Sequence, residues 1–429
     1  MRRKITLLLL LPAMVAYGQS EGPSTEDTQF MVFSDPHYYD PSLGTEGAAF
    51  GEYLDNDRKL LRESRELMLE AINMVNRSNA SFVIIPGDLT KDGSGVSHTA
   101  FAKLIAGIEA EGRPVYVVPG NHDIANGEAR EFRGDTSYIV NSVTPDEFVK
   151  IYREFGYGEA LHRDEHSLSY VAEPAEGTWL LALDPCLYDH NRPGEHPHTD
   201  GAFKQQTLDW ITEMATRAGE QDISMIAFMH HGITEHYKGQ DKFYGEYVVD
   251  DHEDVAARFA SLGIHVVFTG HYHAQDVTLK TWKNGDFIYD IETGSLVTYP
   301  CPMREIRISG TKMHIQSHFI EKIPSHPEGF TDYSRDFVHA GIAGIAERTL
   351  ISYKLKPEDA ALLSGQIGDA FVAHYQGDEP VVDKYLDLKG VGLMGRIMIL
   401  FKKKLIKSLY NDLPPADNDL TIDLEGPSG

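Results

Sequence analysis

Five short motifs follow one another along the chain: Asp35-Pro36-His37, Gly87-Asp88, Gly120-Asn121-His122-Asp123, His230-His231 and Gly270-His271-Tyr272-His273. A lone Asp-x-His pair is common in loops. Five such motifs, nearly all at the end of an apolar run, supply enough oxygen and imidazole ligands for two adjacent metal ions. Carboxylate plus imidazole ligation suits Mn, Fe, Zn, Co or Ni better than Ca or Cu(I). The Asp88 carboxylate has two oxygens and can bridge two cations. Asn121 adds a neutral oxygen and so limits the negative charge. His271 and His273 alternate along an extended segment and can face one site. Two such ions about 3.5–4 Å apart clamp both oxygens of an in-line phosphoryl displacement and lower the pKa of a shared water toward about 7. No serine or cysteine nucleophile is required.

Strand ends must hold these groups. Residues 29–33 read as a short buried strand ending at Ser34-Asp35. A helix over 57–78 is striped by Leu60, Leu61, Leu67, Met68, Ile72 and Val75. Strand 81–86 ends at Gly87-Asp88, helix 98–111 follows, and strand 115–118 runs into Gly120. This β-α-β-α-β order predicts a parallel sheet with covering helices, whose ligands collect at the carboxyl ends of the strands. An irregular insertion at 124–166, with a short helix near 145–155, could wall the site. Strands at 167–172 and 179–183, helix 203–217 and strand 223–229 lead to His230; helix 252–262 and strand 264–268 lead to Gly270. Four short antiparallel strands follow near 275–281, 286–292, 304–309 and 312–319. Two packed sheets with outer helices use all of this material.

From about 330 to 411 the texture is helical. The last helical segment, 392–410, mixes Leu393, Met394, Ile397 and Leu405 with Arg396 and Lys402 to Lys404. Its apolar stripe is expected to pack on its own domain rather than lie on an anionic membrane. Residues 412–429 are acidic and rich in Pro and Asp, and are expected to form a loose, flexible tail.

The chain has 429 residues, 41% hydrophobic and 24% charged, which fits a soluble globular protein of one large domain plus an appendage. Its formal charge is −26, from 39 basic and 65 acidic residues. Long nucleic acid is therefore excluded as a partner, but a small phosphate ester is not, because two bound cations would dominate the local field. Residues 1–18 read as a secretory signal, with Arg2-Arg3-Lys4 before an apolar run from Ile5 to Val15 and cleavage before Gln19. Export to the periplasm or the exterior is expected, and no later run is apolar enough for a stable membrane span. Export would permit a disulfide between Cys186 and Cys301, each just after a strand; two separate thiols are the alternative.

In its motifs the chain resembles the calcineurin-like metallophosphoesterases, whose signature runs D-x-H, G-D, G-N-H-[DE], H and G-H-x-H. The resemblance covers about residues 28–320. It implies an α/β fold, a four-layer α/β/β/α sandwich of two mixed sheets. Here a catalytic domain (19–322) would carry a helical C-terminal appendage (323–411) and the acidic tail. One metal would be held by Asp35, His37, Asp88 and His273, the second by Asp88, Asn121, His230 and His271, with Mn, Fe or Zn expected. His122 would contact the phosphate or protonate the leaving group, oriented by Asp123. His230 is chosen over His231 because members with paired histidines usually ligate through the first.

Lys91 stands where purple acid phosphatases carry a tyrosine ligand, and Ile124-Ala125 follows where protein Ser/Thr phosphatases carry an arginine. The appendage is short for the substrate domain of the extracellular 5′-nucleotidases. Gly87-Asp88-Leu89-Thr90 with Gly120-Asn121-His122-Asp123 resembles more the class III cyclic-nucleotide and glycerophosphodiester phosphodiesterases. Acid sphingomyelinase-like exported enzymes are also compatible. The expectation is an exported dinuclear-metal phosphoesterase that cleaves a phosphodiester by attack of a metal-bridging hydroxide. A phosphomonoesterase is the alternative, distinguished by a cationic group for a dianionic terminal phosphate. The non-enzyme alternative is a degenerate scaffold that binds a partner. Such degeneration normally removes ligands or the histidine of G-N-H, and here all are present.

Overall fold

The computed structural model describes residues 27–427 apart from 56, 380–385 and 412. The expected secretory signal lies outside the described residues. Phe82-Val83-Ile84-Ile85 is buried along its whole length, as a parallel strand covered on both faces must be. It belongs to a first run of elements: β1 (Thr28–Val32), α1 (Ala48–Leu54), α2 (Ser64–Arg77), β2 (Phe82–Ile85), α3 (Gly95–Glu109) and β3 (Val115–Val117). Next come β4 (Arg130–Arg133) and β5 (Thr136–Ile139), a small hairpin, then α4 (Pro145–Ile151) and β6 (His162–Arg163). The second run holds β7 (Tyr170–Ala175), β8 (Thr178–Ala182), α5 (Gln205–Glu220), β9 (Ser224–Phe228), α6 (Gln240–Tyr244), α7 (His252–Ser261), β10 (Val266–Thr269), β11 (Asp276–Thr281) and β12 (Phe287–Glu292). The chain ends with β13 (Pro302–Ser309), β14 (Lys312–Phe319), α8 (Phe330–Ser352), α9 (Pro357–Gln376), α10 (Leu393–Ser408) and β15 (Asp419–Asp423).

These elements form two large mixed sheets. One has the order β15-β14-β13-β1-β2-β3, the other β11-β12-β10-β9-β8-β7-β6. Strands β1, β2 and β3 run parallel, as do β12, β10, β9 and β8; the outer strands are antiparallel. The sheets pack face to face, with Phe30 of one edge-on to Phe268 of the other at 5.6 Å. Leu67, Met68 and Phe101 from α2 and α3 cover the first sheet, while Ile211, Met214 and Phe259 from α5 and α7 cover the second. The result is the four-layer sandwich, with α8, α9 and α10 packed together as a C-terminal helical unit.

Two expectations need correction. Helix α2 begins at Ser64 and not at 57. The Leu60 N–H donates to Val297 O at 2.7 Å, so Leu60 and Leu61 are buried from a loop, and that loop brings Arg58 and Lys59 toward the strand ends. The tail is not loose. Asp419-Leu420-Thr421-Ile422-Asp423 alternates with period two and adds β15 to the edge of the first sheet, with Ile422 buried. Ahead of it the buried Asp417 carboxylate accepts the N–H groups of Val277 (2.8 Å) and Asp378 (2.7 Å). Of the two readings of the cysteines, separate thiols hold: Cys186 and Cys301 are both free. As expected, the α10 stripe packs on its own domain through Ile399 and Leu405, while Leu393, Met394 and Leu400 stay exposed.

Candidate metal centre

The motif residues meet where the two sheets meet. Asp35 and His37 follow β1, Asp88 follows β2, and Asn121 and His122 follow β3, all at carboxyl ends of the first sheet. His230 follows β9, and His271 and His273 follow β10 of the second sheet. Five of these residues hold backbone φ in the left-handed region without being glycine: Asp35 (49°), His37 (35°), Asp88 (48°), His271 (79°) and His273 (72°). Such conformations are disfavoured for residues with a Cβ and cluster at functional sites. The motif glycines have a steric reason. A Cβ on Gly120 would lie 2.2 Å from Asp88 Oδ1, and one on Gly270 would lie 2.3 Å from Asp35 Oδ2.

Ligand atoms converge in three groups, of which His37, Asp88 and His122 link the other two. Asp35, His37 and His273 form one of those two; Asp88, His230 and His271 form the other. Asp88 Oδ2 lies 3.5 Å from His37 Nε2 and 3.4 Å from His230 Nε2, between the two groups. His37 Nε2 and His273 Nε2 are 3.2 Å apart, and His273 Nε2 is 3.4 Å from Asp35 Oδ1. Asn121 Oδ1 is 3.1 Å from His230 Nε2. The backs of these groups are held. His230 Nδ1–H donates to Pro86 O at 2.9 Å, which leaves Nε2 as the ligand atom. His271 Nε2 lies 3.1 Å from Thr199 O and 3.2 Å from Glu246 O, which leaves the lone pair on Nδ1. Ser34 Oγ and the His271 N–H both donate to Asp35 Oδ2, leaving Oδ1 toward the histidines.

The electrostatics suit cations. Burial, with Lys59 nearby, lowers His37 well below the usual range; burial, with His230 and His231 nearby, does the same to His271. Burial also lowers His273 to about 4, so all three imidazoles are neutral and can ligate. Burial would lower His230 too, but the Asp88 carboxylate outweighs it and pushes His230 up to about 9. Positive charge is thus favoured at its Nε2, where a metal ion would supply it. Two carboxylates, one amide oxygen and four imidazoles fit two transition-metal ions.

Of the histidine pair, His230 joins the cluster. His231 turns its Nε2–H to Thr199 O at 2.8 Å, with its ring packed on His271. His122 sits beside His37, ring centres 5.0 Å apart, and its side chain is 23% exposed, within reach of a substrate. Asp123 does not orient it. The Asp123 carboxylate is fully used by the N–H groups of Leu89, Thr90 and Gly120 and by the Thr90 hydroxyl, so it ties two motif turns together. The carboxylate facing His122 is Asp92, whose Oδ1 lies 3.8 Å from His122 Nδ1 and whose Oδ2 pairs with Lys91. Burial alone would raise Asp92, but the Lys91 ammonium and His122 outweigh it and hold it near 2. The sequence reading also missed Arg58, Lys59 and Tyr247. None lies in a motif; only the loop after residue 55 and the approach to His252 bring them in. His98 and His236, outside every motif, are both buried.

Residues 28–275 match the calcineurin-like phosphoesterase family. The chain belongs to that family. Among curated proteins this phosphoesterase is similar to the serine/threonine-protein phosphatase CPPED1 of Pongo abelii and of Homo sapiens. Each is 22% identical over 316 residues, 71% of this chain and 89% of the relative. Among solved structures it is similar to a dimetal phosphatase from Danio rerio, at 17% identity and a TM-score of 0.48, covering 68% of this chain and 96% of that one. It is also similar to a purple acid phosphatase from yellow lupin, at 13% identity and a TM-score of 0.44, covering 71% and 52%. The phosphoesterase therefore carries a cluster of donors able to hold a dinuclear metal centre, in a family of metal-dependent phosphoric ester hydrolases.

Proposed function

We propose that the chain hydrolyses a phosphomonoester to an alcohol and inorganic phosphate at a two-metal centre. The observation that carries this reading is the cationic wall beside the centre. Lys59 is only 8% exposed, makes no ion pair among the described residues, and lies close enough to His37 and His273 to depress both. Arg58 adds a second cation that also depresses His273. The donor set holds only two carboxylates, Asp35 and Asp88, so two divalent ions would leave the pocket two charges positive before Lys59, Arg58 and the adjacent Asp57, which offsets one of them, are counted. A dianionic terminal phosphate answers that charge better than a monoanionic diester. The curated relatives are phosphatases by name, which is consistent. The sequence expectation of a diester keeps one supporting observation, a roomy cavity beside the centre that offers space for a second substituent.

When bound, two cations at Asp35, His37, Asp88 and His273 and at Asp88, Asn121, His230 and His271 would polarise the phosphoryl oxygens and acidify a water. The chain's own residues do the rest. Lys59 and Arg58 hold the dianion. His122 gives a proton to the departing alcohol oxygen as its bond to phosphorus breaks. Asp92 faces the Nδ1 of that imidazole at 3.8 Å and is itself held ionised by Lys91. The proposal includes export, supported by the basic-then-apolar leader of residues 1–18; Gln19 at the amino terminus of the secreted chain would bear it out.

The test is hydrolysis of p-nitrophenyl phosphate beside bis(p-nitrophenyl) phosphate by the Mn²⁺-reconstituted protein, with Lys59→Met as the variant. The monoester should be the better substrate. Lys59→Met should raise its KM by about tenfold, the scale of one charge-assisted contact, and change the diester less. A diester rate tenfold above the monoester rate would overturn the reading.

A further inference from the structure

Behind the metal centre lies a cavity of about 500 Å³, roofed by α8, α9 and α10. This volume lies within the range of pockets that take a small organic ligand. Its wall toward the centre is aromatic. Tyr247 rests its ring on His271 at 4.6 Å, Tyr272 stands between the two histidines of the last motif, and the ring of Tyr375 lies 6.5 Å from that of His273. The far walls are apolar: Ile342 and Leu350 from α8, Ile367 and Phe371 from α9, Met398 and Leu405 from α10. In a chain of net charge −26, no Asp or Glu among the described residues lines this space, while Arg58 and Lys402 do. Arg58 stands at the end toward the centre, against the hydroxyls of Tyr247 and Tyr375, and its buried Nε has no hydrogen-bond partner. Tyr353, 57% exposed, lines the opposite part and opens a way in from solvent.

We infer that the substrate is an amphiphile: a phosphate ester of a long-chain alcohol, its phosphate on the metal centre and its apolar chain in this cavity. The inference rests on the phosphomonoesterase reading for the chemistry and on the cavity for the tail. A nucleotide or sugar phosphate that reached the far walls would place hydroxyls and ring nitrogens against Ile342, Leu350, Ile367, Met398 and Leu405, which offer them no partner, at a cost for each group. An alkyl chain loses nothing there and gains the burial of every methylene. Arg58, at the junction, meets the phosphate end, and the absence of carboxylates spares an anionic head any repulsion on its way in.

The experiment uses the metal-loaded full chain and two series of probes, n-alkyl phosphates and n-alkyl phosphonates from butyl to tetradecyl. For the phosphates, kcat/KM should rise by up to about fourfold per methylene until the cavity fills, mostly through KM. Calorimetric affinity for the non-hydrolysable phosphonates should rise in parallel. Ala346→Trp, which fills the space from α8, should collapse the ratio of long-chain to short-chain values in both series. A prenyl phosphate arm separates straight-chain from branched sources. Turnover of p-nitrophenyl phosphate with a flat chain-length profile would overturn the amphiphile inference and leave the phosphatase reading standing. Chain-length-dependent phosphonate binding without phosphate turnover would do the reverse. Retention of the long-chain preference in Ala346→Trp would place the tail elsewhere and overturn the site.

Discussion

The metal centre and the cavity behind it share a wall and are built on opposite rules. At the centre, charged and polar side chains stand on backbone just past strand ends, and five of them adopt left-handed φ. In the cavity the lining comes from helix faces spread over α8, α9 and α10, mostly aliphatic, and no lining residue has positive φ. The centre is over-determined: Asp35, His230 and His271 each have a second bond behind them, and the motif glycines leave no room for a Cβ. The helical walls of the cavity are held mainly by packing. Chemistry is thus fixed by short local motifs, and substrate choice by a surface assembled from distant segments. Two such regions should respond differently to single substitutions.

The largest response is expected at the shared ligand. Asp88 Oδ2 lies between His37 and His230, so Asp88→Asn weakens both halves of the centre at once. Turnover should fall on the order of 10³-fold, past the 10–100-fold cost of losing a partner behind a ligand. Metal analysis should show fewer than two ions per chain. Full turnover with two ions would mean that the carboxylate does not bridge.

Next comes His122 and the carboxylate that serves it. His122→Gln should cost about 10²–10⁴-fold on alkyl phosphates, whose leaving alkoxide needs a proton, and much less on p-nitrophenyl phosphate, whose leaving group does not. Asp92→Asn should show the same substrate dependence at about tenfold. Asp123→Asn should instead lower the melting temperature, because its carboxylate accepts four hydrogen bonds between two turns. If Asp123→Asn rather than Asp92→Asn shows the leaving-group dependence, the orientation assigned to His122 is wrong.

This contrast explains what could be read from the sequence. The strands over 28–32, 82–85, 115–117, 224–228 and 266–269 were legible because buried apolar runs end at motif residues, so pattern and chemistry point to the same place. The fold class and the clustering of Asp35, His37, Asp88, Asn121, His122, His230, His271 and His273 came from the same coincidence. Asp92 was not legible, because a carboxylate beside a lysine reads as a surface pair until the turn is folded. Asp123 misled because the resemblance set it on His122, whereas in the turn over 120–123 its carboxylate faces the N–H groups of Leu89, Thr90 and Gly120. The tail misled because its charge outweighed its period-two alternation. The cavity left no motif at all, since ordinary helical stripes line it.

The tail gives a third test, now of stability. Asp417→Ala removes the acceptor of two N–H groups, those of Val277 and Asp378, at a site where Asp417 itself is buried. Only the Val277 N–H is buried, and one unpartnered buried donor costs about 1–3 kcal/mol, so a loss of about 2 kcal/mol in unfolding free energy is expected. The metal ligands lie on other strand ends, so metal stoichiometry should stay at the wild-type value. A change below about 0.5 kcal/mol would restore the loose tail.

The smallest effect is expected from a histidine that no motif contains. His98 on α3 is fully buried; its ring lies 2.8 Å from the Tyr152 hydroxyl, and its Nε2 lies 2.9 Å from Asp123 O. It therefore braces the turn that carries Asn121 and His122. Burial lowers its pKa to about 4, against about 6.5 for an unfolded chain. Between these values the unfolded chain binds a proton that the folded chain refuses, so stability falls as the pH drops from about 6.5 to 4 and is unaffected by this group above 6.5. The expected slope from His98 is about 1 kcal/mol per pH unit within that window. Denaturant unfolding of wild type and His98→Gln at pH 7.5, 6.0 and 5.0 isolates it by difference, because the other buried histidines contribute equally to both proteins. The gap between the two proteins should change in favour of the variant as the pH falls. A constant gap across the three pH values would mean that His98 titrates at its ordinary value in the fold, and a gap moving in favour of wild type between pH 7.5 and 6.0 that it is held protonated; either outcome would overturn the neutral brace under the centre.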